Sequence, residues 1–257
     1  MASTVARPSW APGTAVPGIR ARAVAALSRR WMARVAADPA ALRATLGAYR
    51  DGEDNGEAAV FEQVGAHLPA RYVRMCARHA ADEARHAALF AAAVDALGGA
   101  APTPARLDPL ARLDAAAGGL LATAGDSREA LGRVFLLLMA FERRLAERLP
   151  LIADGFAAAR PELSALFRTV ARDEARHIRY CTAVSQALIP DPDRWATLRD
   201  EAVAVEARAF APYLFDFLNH ILDIGLRQMP WWERLGFRLM ARLGRALGRP
   251  LPVGGAP

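Results

Sequence analysis

An all-α bundle is the fold this sequence predicts, and three observations predict it. Hydrophobic residues make up 53% of the 257-residue chain, with alanine, leucine and arginine far outnumbering threonine and isoleucine, a composition of strong helix formers. Apolar residues recur at spacings of three and four along most of the length. No stretch alternates with the period of two that a half-buried strand needs, and there is no Gly-rich phosphate loop. The length suffices for one large domain or two small ones with an ample core.

Residues 1–18 contain Pro8, Pro12, Gly13, Pro17 and Gly18 without periodicity and read as a mobile arm. Helical patterning begins at Ile19 and runs to Ala37, where Asp38-Pro39 interrupts it. A second stretch, 40–68, holds Gly47, Gly52 and Gly56, and its clearest part is the stripe Glu53, Glu57, Val60, Val64 and His67. Pro69 suits the first turn of the next helix, whose stripe of Tyr72, Cys76, His79, Glu83, His86 and Phe90 ends before Gly98-Gly99. Residues 99–126, with Pro102, Pro104, Pro109 and Gly118-Gly119, read as a long crossover containing a short helix.

Asp126 or Ser127 caps the third long helix, with Glu129 placed for a capping box from Asp126. Its stripe is Phe135, Leu138, Glu142, Leu145 and Leu149. Pro161 opens the fourth, striped by Leu163, Phe167, Val170, Glu174, His177, Cys181 and Val184, and Pro190 and Pro192 end it. Patterning resumes near Arg194, is disturbed by Pro212 and ends near Gln228, before a last amphipathic segment beyond Pro230. The expected organisation is an arm (1–18), a four-helix bundle with a leading helix (19–190) and a C-terminal helical extension with a basic tail (191–257).

Net charge is +6, and all 33 basic residues are arginine. Residues 1–37 carry +6 and residues 227–257 carry +5, which leaves −5 for the middle. An acidic middle with basic ends fits a carboxylate-rich site flanked by anion-seeking segments, and it also fits ordinary surface variation. Cys76 and Cys181 form no Cys-x-x-Cys pair, which excludes rubredoxin-type and zinc-ribbon sites. With no leader-like start and no long uncharged apolar run, the expectation is a cytoplasmic protein with free thiols. Trp231-Trp232 and the arginines at 234, 238, 242, 245 and 249 suggest an amphipathic helix at an anionic or membrane surface. The leucines at 235, 239, 243 and 247 are expected to pack that helix on the bundle instead.

The chemistry is concentrated in a pentapeptide used twice, Asp82-Glu83-Ala84-Arg85-His86 and Asp173-Glu174-Ala175-Arg176-His177. Glu and His three residues apart share one helix face, so one rigid element offers a carboxylate and an imidazole to a single cation. Two of only five histidines occupy the same position of this motif. Glu83, His86, Glu142, Glu174 and His177 all lie on apolar stripes, where unpaired carboxylates are costly. Four or more carboxylates meeting in one core require cations.

On four helices, the order Glu, Asp-Glu-x-Arg-His, Glu, Asp-Glu-x-Arg-His resembles the ferritin-like di-iron carboxylate superfamily, over roughly residues 50–190. The resemblance implies a ferritin-like bundle with one long crossover and a ligand set of Glu57, Glu83, His86, Glu142, Glu174 and His177. Glu53 is the alternative to Glu57, one turn earlier on the same stripe. The resemblance gives Asp82 and Asp173 the role of holding ligand histidines, while a solvated charge is the other reading.

His79 extends the first motif to His-x-x-x-Glu-x-x-His. With Val170 at the matching place of the second motif, His79 is expected to be a core residue beside a symmetric site. Phe90 stands where the ribonucleotide reductase small subunit carries its radical tyrosine, and Tyr180 is expected to pack or face outward. The implied cofactors are two iron ions about 3.5–4 Å apart, with manganese or an iron–manganese pair as the alternative. The implied activity is an O2-activating oxygenase or oxidase, with O2, a small organic substrate and an electron donor as partners and a homodimer left open. A bacterioferritin-like ferroxidase or storage protein and a metal-free helical adaptor remain the rivals.

Overall fold

Every regular element among the described residues is a helix. The computed structural model describes residues 19–246 apart from Asn55, Ala101 and residues 124–126. The expected arm at 1–18, Asp126 and the end of the basic tail lie outside the described residues.

Helix α1 (Ile19–Ala37) ends where Asp38 caps α2 (Pro39–Glu53). Asp38 Oδ1 accepts from the amides of Ala40 and Ala41 at 3.0 and 2.9 Å, satisfying two otherwise unpaired helix-start donors. Its Oδ2 accepts from the Leu226 amide at 2.8 Å and so ties this corner to the far end of the chain.

The helical stretch over 40–68, whose three glycines leave its continuity open in sequence, is two helices. Gly56 takes φ 97°, a left-handed conformation that most residues avoid, and α3 (Glu57–Gly65) starts directly after it. This break turns Glu53 into the last residue of one helix and Glu57 into the first of another.

Helix α4 (Ala70–Asp95) carries the first pentapeptide. The crossover contains a 3-10 turn (Ala105–Leu107), α5 (Pro109–Ala116) and the single turn α6 (Leu120–Thr123). Helix α7 (Arg128–Phe156) is capped by Ser127, whose Oγ accepts from the Ala130 amide at 3.0 Å. Pro150 lies inside α7 without ending it. Helix α8 (Pro161–Leu188) carries the second pentapeptide. Helix α9 (Pro192–Ile224) runs through Pro212 to a C-cap at Gly225, and α10 (Trp231–Ala246) follows.

Helices α7 and α8 form the most extensively packed hairpin, α2 and α3 both lie along α4, and α4 meets α8. Around this bundle-like core, α1 and α9 cover α7, and α5 and α10 lie on α9. The apolar interior is divided in two. Phe90, Leu149, Phe156, Phe167 and Val170 belong to one part. Cys76, Phe135, Leu138, Cys181 and Val184 belong to the other. Along α4, α7 and α8, the break between the two parts falls where the glutamates and histidines sit.

Candidate metal centre

One arc of α4 supplies three of the converging side chains. At about 100° per residue, His79, Glu83 and His86 fall within about 60° of one another, on the face that also buries Cys76 and Phe90. Helix α8 adds Glu174 and His177, α7 adds Glu142, and the end of α2 adds Glu53. All are buried: His86 and Glu174 are 0% exposed, Glu142 1%, and the Glu53 side chain 6%.

These residues form two groups, each able to hold a metal ion. His79, Glu83, Glu142 and His177 make one; Glu53, Glu83, His86 and Glu174 make the other. Within each group the candidate ligand atoms lie within 4.8 Å of one another. Glu83 belongs to both. Its Oε1 is 2.9 Å from His79 Nε2 and 3.2 Å from His177 Nδ1, and its Oε2 is 3.6 Å from His86 Nδ1. Glu174 spans the same gap, with Oε2 2.9 Å from His177 Nδ1 and Oε1 3.6 Å from His86 Nδ1.

A buried polar atom normally finds a hydrogen-bond partner. Here His79 Nε2, Glu83 Oε1, His86 Nδ1, Glu142 Oε2 and Glu174 Oε1 have none. These atoms belong to the two groups, with one imidazole and one carboxylate orphan or more in each. Two carboxylates about 4 Å apart repel by about 4 kcal/mol at an effective dielectric of about 20. Several such pairs would consume a whole domain's stability of about 5–15 kcal/mol. The donor set therefore fits a pair of divalent cations.

Without a cation, protons are the positive charges open to the cluster. Burial raises the Glu53 and Glu174 carboxyls well above the ordinary range, and burial with the Glu57 charge pushes Glu142 up to about 7. Burial also works against the charge on His86, but Glu53 and Glu83 outweigh it and lift the imidazole to about 11. Burial would raise Glu83 too, yet the neighbouring His79 and His86 imidazoles hold its carboxyl below the usual range.

The outer nitrogens of two histidines are held crosswise. His86 Nε2 faces Asp173 Oδ2 at 3.1 Å, and His177 Nε2 faces Asp82 Oδ2 at 3.3 Å. Each pentapeptide thus supplies the aspartate that orients the other's histidine. Arg85 donates to Asp82 and Asp173 at 2.8 and 2.6 Å, and Arg176 pairs with the same two aspartates. The Asp–Arg lattice fixes which ring nitrogen faces inward, the usual task of groups behind a metal ligand. Asp173→Asn should weaken metal binding at the His86 group and Asp82→Asn at the His177 group, each by about 10–100-fold. Metal titrations of the two variants check this, and equal weakening of both positions by either change would break the crosswise pairing.

Most residues singled out in the sequence meet at this centre, and two readings stand differently from expectation. Glu53, not Glu57, completes a four-residue group, because the break at Gly56 leaves the two glutamates on different helices. Glu57 is buried beside His79, with its Oε2 3.3 Å from Nε2, and lies outside both groups. Metal counts should fall for Glu53→Gln and stay at two for Glu57→Gln; the reverse pattern would reassign the position. His79, expected as a core residue, directs Nε2 into the cluster, where Glu142 Oε1 also lies 2.9 Å away. Tyr180, expected to pack or face outward, packs in the interior, where it is also hydrogen-bonded to His79 Nδ1. Its spacing from His177 gave no sign of that.

Comparison of the chain with family models, curated proteins and solved structures returned no match. Fold and site together define an all-helical protein with a buried carboxylate–imidazole cluster able to bind metal. Among the described residues, no helix is long and apolar enough to cross a membrane.

Proposed function

We propose that this chain is a ferritin-like dimetal carboxylate oxidoreductase that activates O2 to oxidise a small organic substrate. The observation that carries the reading is the pair of four-residue groups sharing Glu83, with orphaned buried donor atoms in both. Iron is the metal of choice, since mixed carboxylate and imidazole donors suit it, with manganese or a mixed pair as the alternative. Bound iron supplies electron transfer and O2 chemistry that no side chain can provide.

The chain's own part is binding, orientation and exclusion of water. His79, Glu83, Glu142 and His177 would hold one ion, and Glu53, Glu83, His86 and Glu174 the other. Three imidazoles over two positions make the centre unequal. Asp82 and Asp173 accept hydrogen from the outer nitrogens of His177 and His86, leaving the inner nitrogens free as donors to metal. The apolar walls on either side keep bulk water from the cluster.

A cleft of about 340 Å3 between α4 and α8, bordered by Met75, Arg78 and Arg179, reaches His79, His177 and Tyr180. Its size lies near the lower end of small-molecule sites, about 300–1,000 Å3. The test is anaerobic loading with Fe2+, metal counting and then measurement of O2 consumption by the reduced protein. The expected result is two metals per chain and O2 uptake. A folded chain that takes up no metal overturns the centre, and a loaded chain inert to O2 overturns the reaction class.

A further inference from the structure

We propose that α10 docks the chain on an anionic lipid surface. Among the described residues, seven large hydrophobic side chains are exposed, and five of them, Ile224, Trp231, Trp232, Leu235 and Leu239, gather at the α9–α10 corner. Trp231 is 75% exposed and Trp232 55%, while Leu235 and Leu239 are 47% each. The expectation that the leucines pack on the bundle is not met at Leu235 and Leu239, and the side chains at 243 and 247 lie outside the described residues.

Helical geometry shows why that corner is unusual. At about 100° per residue, Trp231, Leu235, Leu239 and Trp232 span an arc of about 100°. The buried residues Glu233, Phe237 and Ala241 occupy the opposite side, with Phe237 stacked edge-on to Trp31 at 4.8 Å. A surface helix normally turns charge toward water at the pole opposite its buried stripe. Here that pole carries two tryptophans and two leucines around Arg242, so α10 has a largely apolar outer face as well as a buried one.

The arginines of α10 run along one flank of this outer face and enter it at Arg242. Arg234 donates to the Leu222 and Leu226 carbonyls at the end of α9, at 2.7 and 2.9 Å. Arg238 pairs with Asp223 at 2.7 Å. Arg227 and Arg242 are exposed and have no carboxylate partner among the described residues. Glu233, the acid of this helix, is buried and paired with Arg30 and Arg34 of α1, so it does not offset the free arginines.

Charge and chemistry select the occupant. A second copy meeting this patch about a twofold axis would set arginines against arginines. An anionic membrane offers hydrocarbon to the leucines, a headgroup boundary to the tryptophans and phosphate to the arginines. The helix would lie in the surface plane, as no described helix can span a bilayer.

The experiment uses the full chain and co-sedimentation with vesicles of phosphatidylcholine alone or mixed with phosphatidylglycerol. Each arginine near an anionic surface is worth roughly fivefold, so Arg227 and Arg242 together should favour the mixed vesicles by roughly 30-fold. Binding should weaken as salt is raised. The double variants Trp231→Ser/Trp232→Ser and Arg227→Glu/Arg242→Glu should both lose it while keeping helix content and metal binding. Equal affinity for the two vesicle types, or binding to neither, overturns the proposal. A concentration-dependent dimer that the tryptophan variant dissolves would assign the patch to a second copy instead.

Discussion

Replacing Glu83 with glutamine is expected to reduce bound metal from two ions per chain to near zero. The change keeps the side chain's length and removes only its charge and one acceptor oxygen. Glu83 belongs to both four-residue groups, with one oxygen facing His79 and His177 and the other facing His86. Every other member belongs to one group, so single changes at Glu142 or His86 should leave one ion behind. Loss of one charge also relieves repulsion in the metal-free cluster, so the variant should fold with unchanged helix content by circular dichroism. Metal analysis after anaerobic loading gives the answer. One ion retained in Glu83→Gln would mean that the two groups do not share this carboxylate.

The doubled pentapeptide was legible because its register survives folding intact. Helices α4 and α8 are unbroken across it, so spacing along the chain maps directly onto one face. Glu142 was legible for the same reason, deep in α7. Glu53 was not, because one glycine in a left-handed conformation restarts the helix and cancels any argument from helical phase. The crosswise Asp82–His177 and Asp173–His86 pairs depend on how closely α4 and α8 approach, which no single-helix pattern encodes. Tyr180 is on the buried side of α8, yet only the arrival of His79 from α4 gives its hydroxyl a partner.

The outer elements show the same division. Asp38-Pro39 and Ser127 mark helix starts through local chemistry that sequence displays, a side-chain oxygen accepting from amides two or three residues on. Pro212 disturbs the pattern in sequence yet does not end α9, and Pro150 does not end α7, since neighbouring helices pack against both. On α10 the period-3.6 pattern was plain, but two apolar faces satisfy it equally. Only the buried contacts of Phe237 with α1 decide which face turns outward.

His79→Gln separates an unequal centre from a symmetric one, and is expected to remove one of two metals. His79 Nε2 is an orphaned buried atom within reach of Glu83 and Glu142, both at 2.9 Å. Its Nδ1 is already engaged by the Tyr180 hydroxyl, which fixes the ring and commits Nε2 to the cluster. Losing a group behind a ligand costs about 10–100-fold in metal affinity, and losing the ligand itself should cost more. The ion held by Glu53, His86 and Glu174 should remain, since none of those side chains depends on His79. Tyr180→Phe is the control: it removes the hydroxyl but leaves the ring nitrogen, so both metals should stay, bound more weakly. Spectra of the loaded proteins add a readout that stability alone would not move. If His79→Gln keeps two metals and an unchanged metal-centred spectrum, the imidazole is a hydrogen-bonding core residue and the centre is symmetric after all.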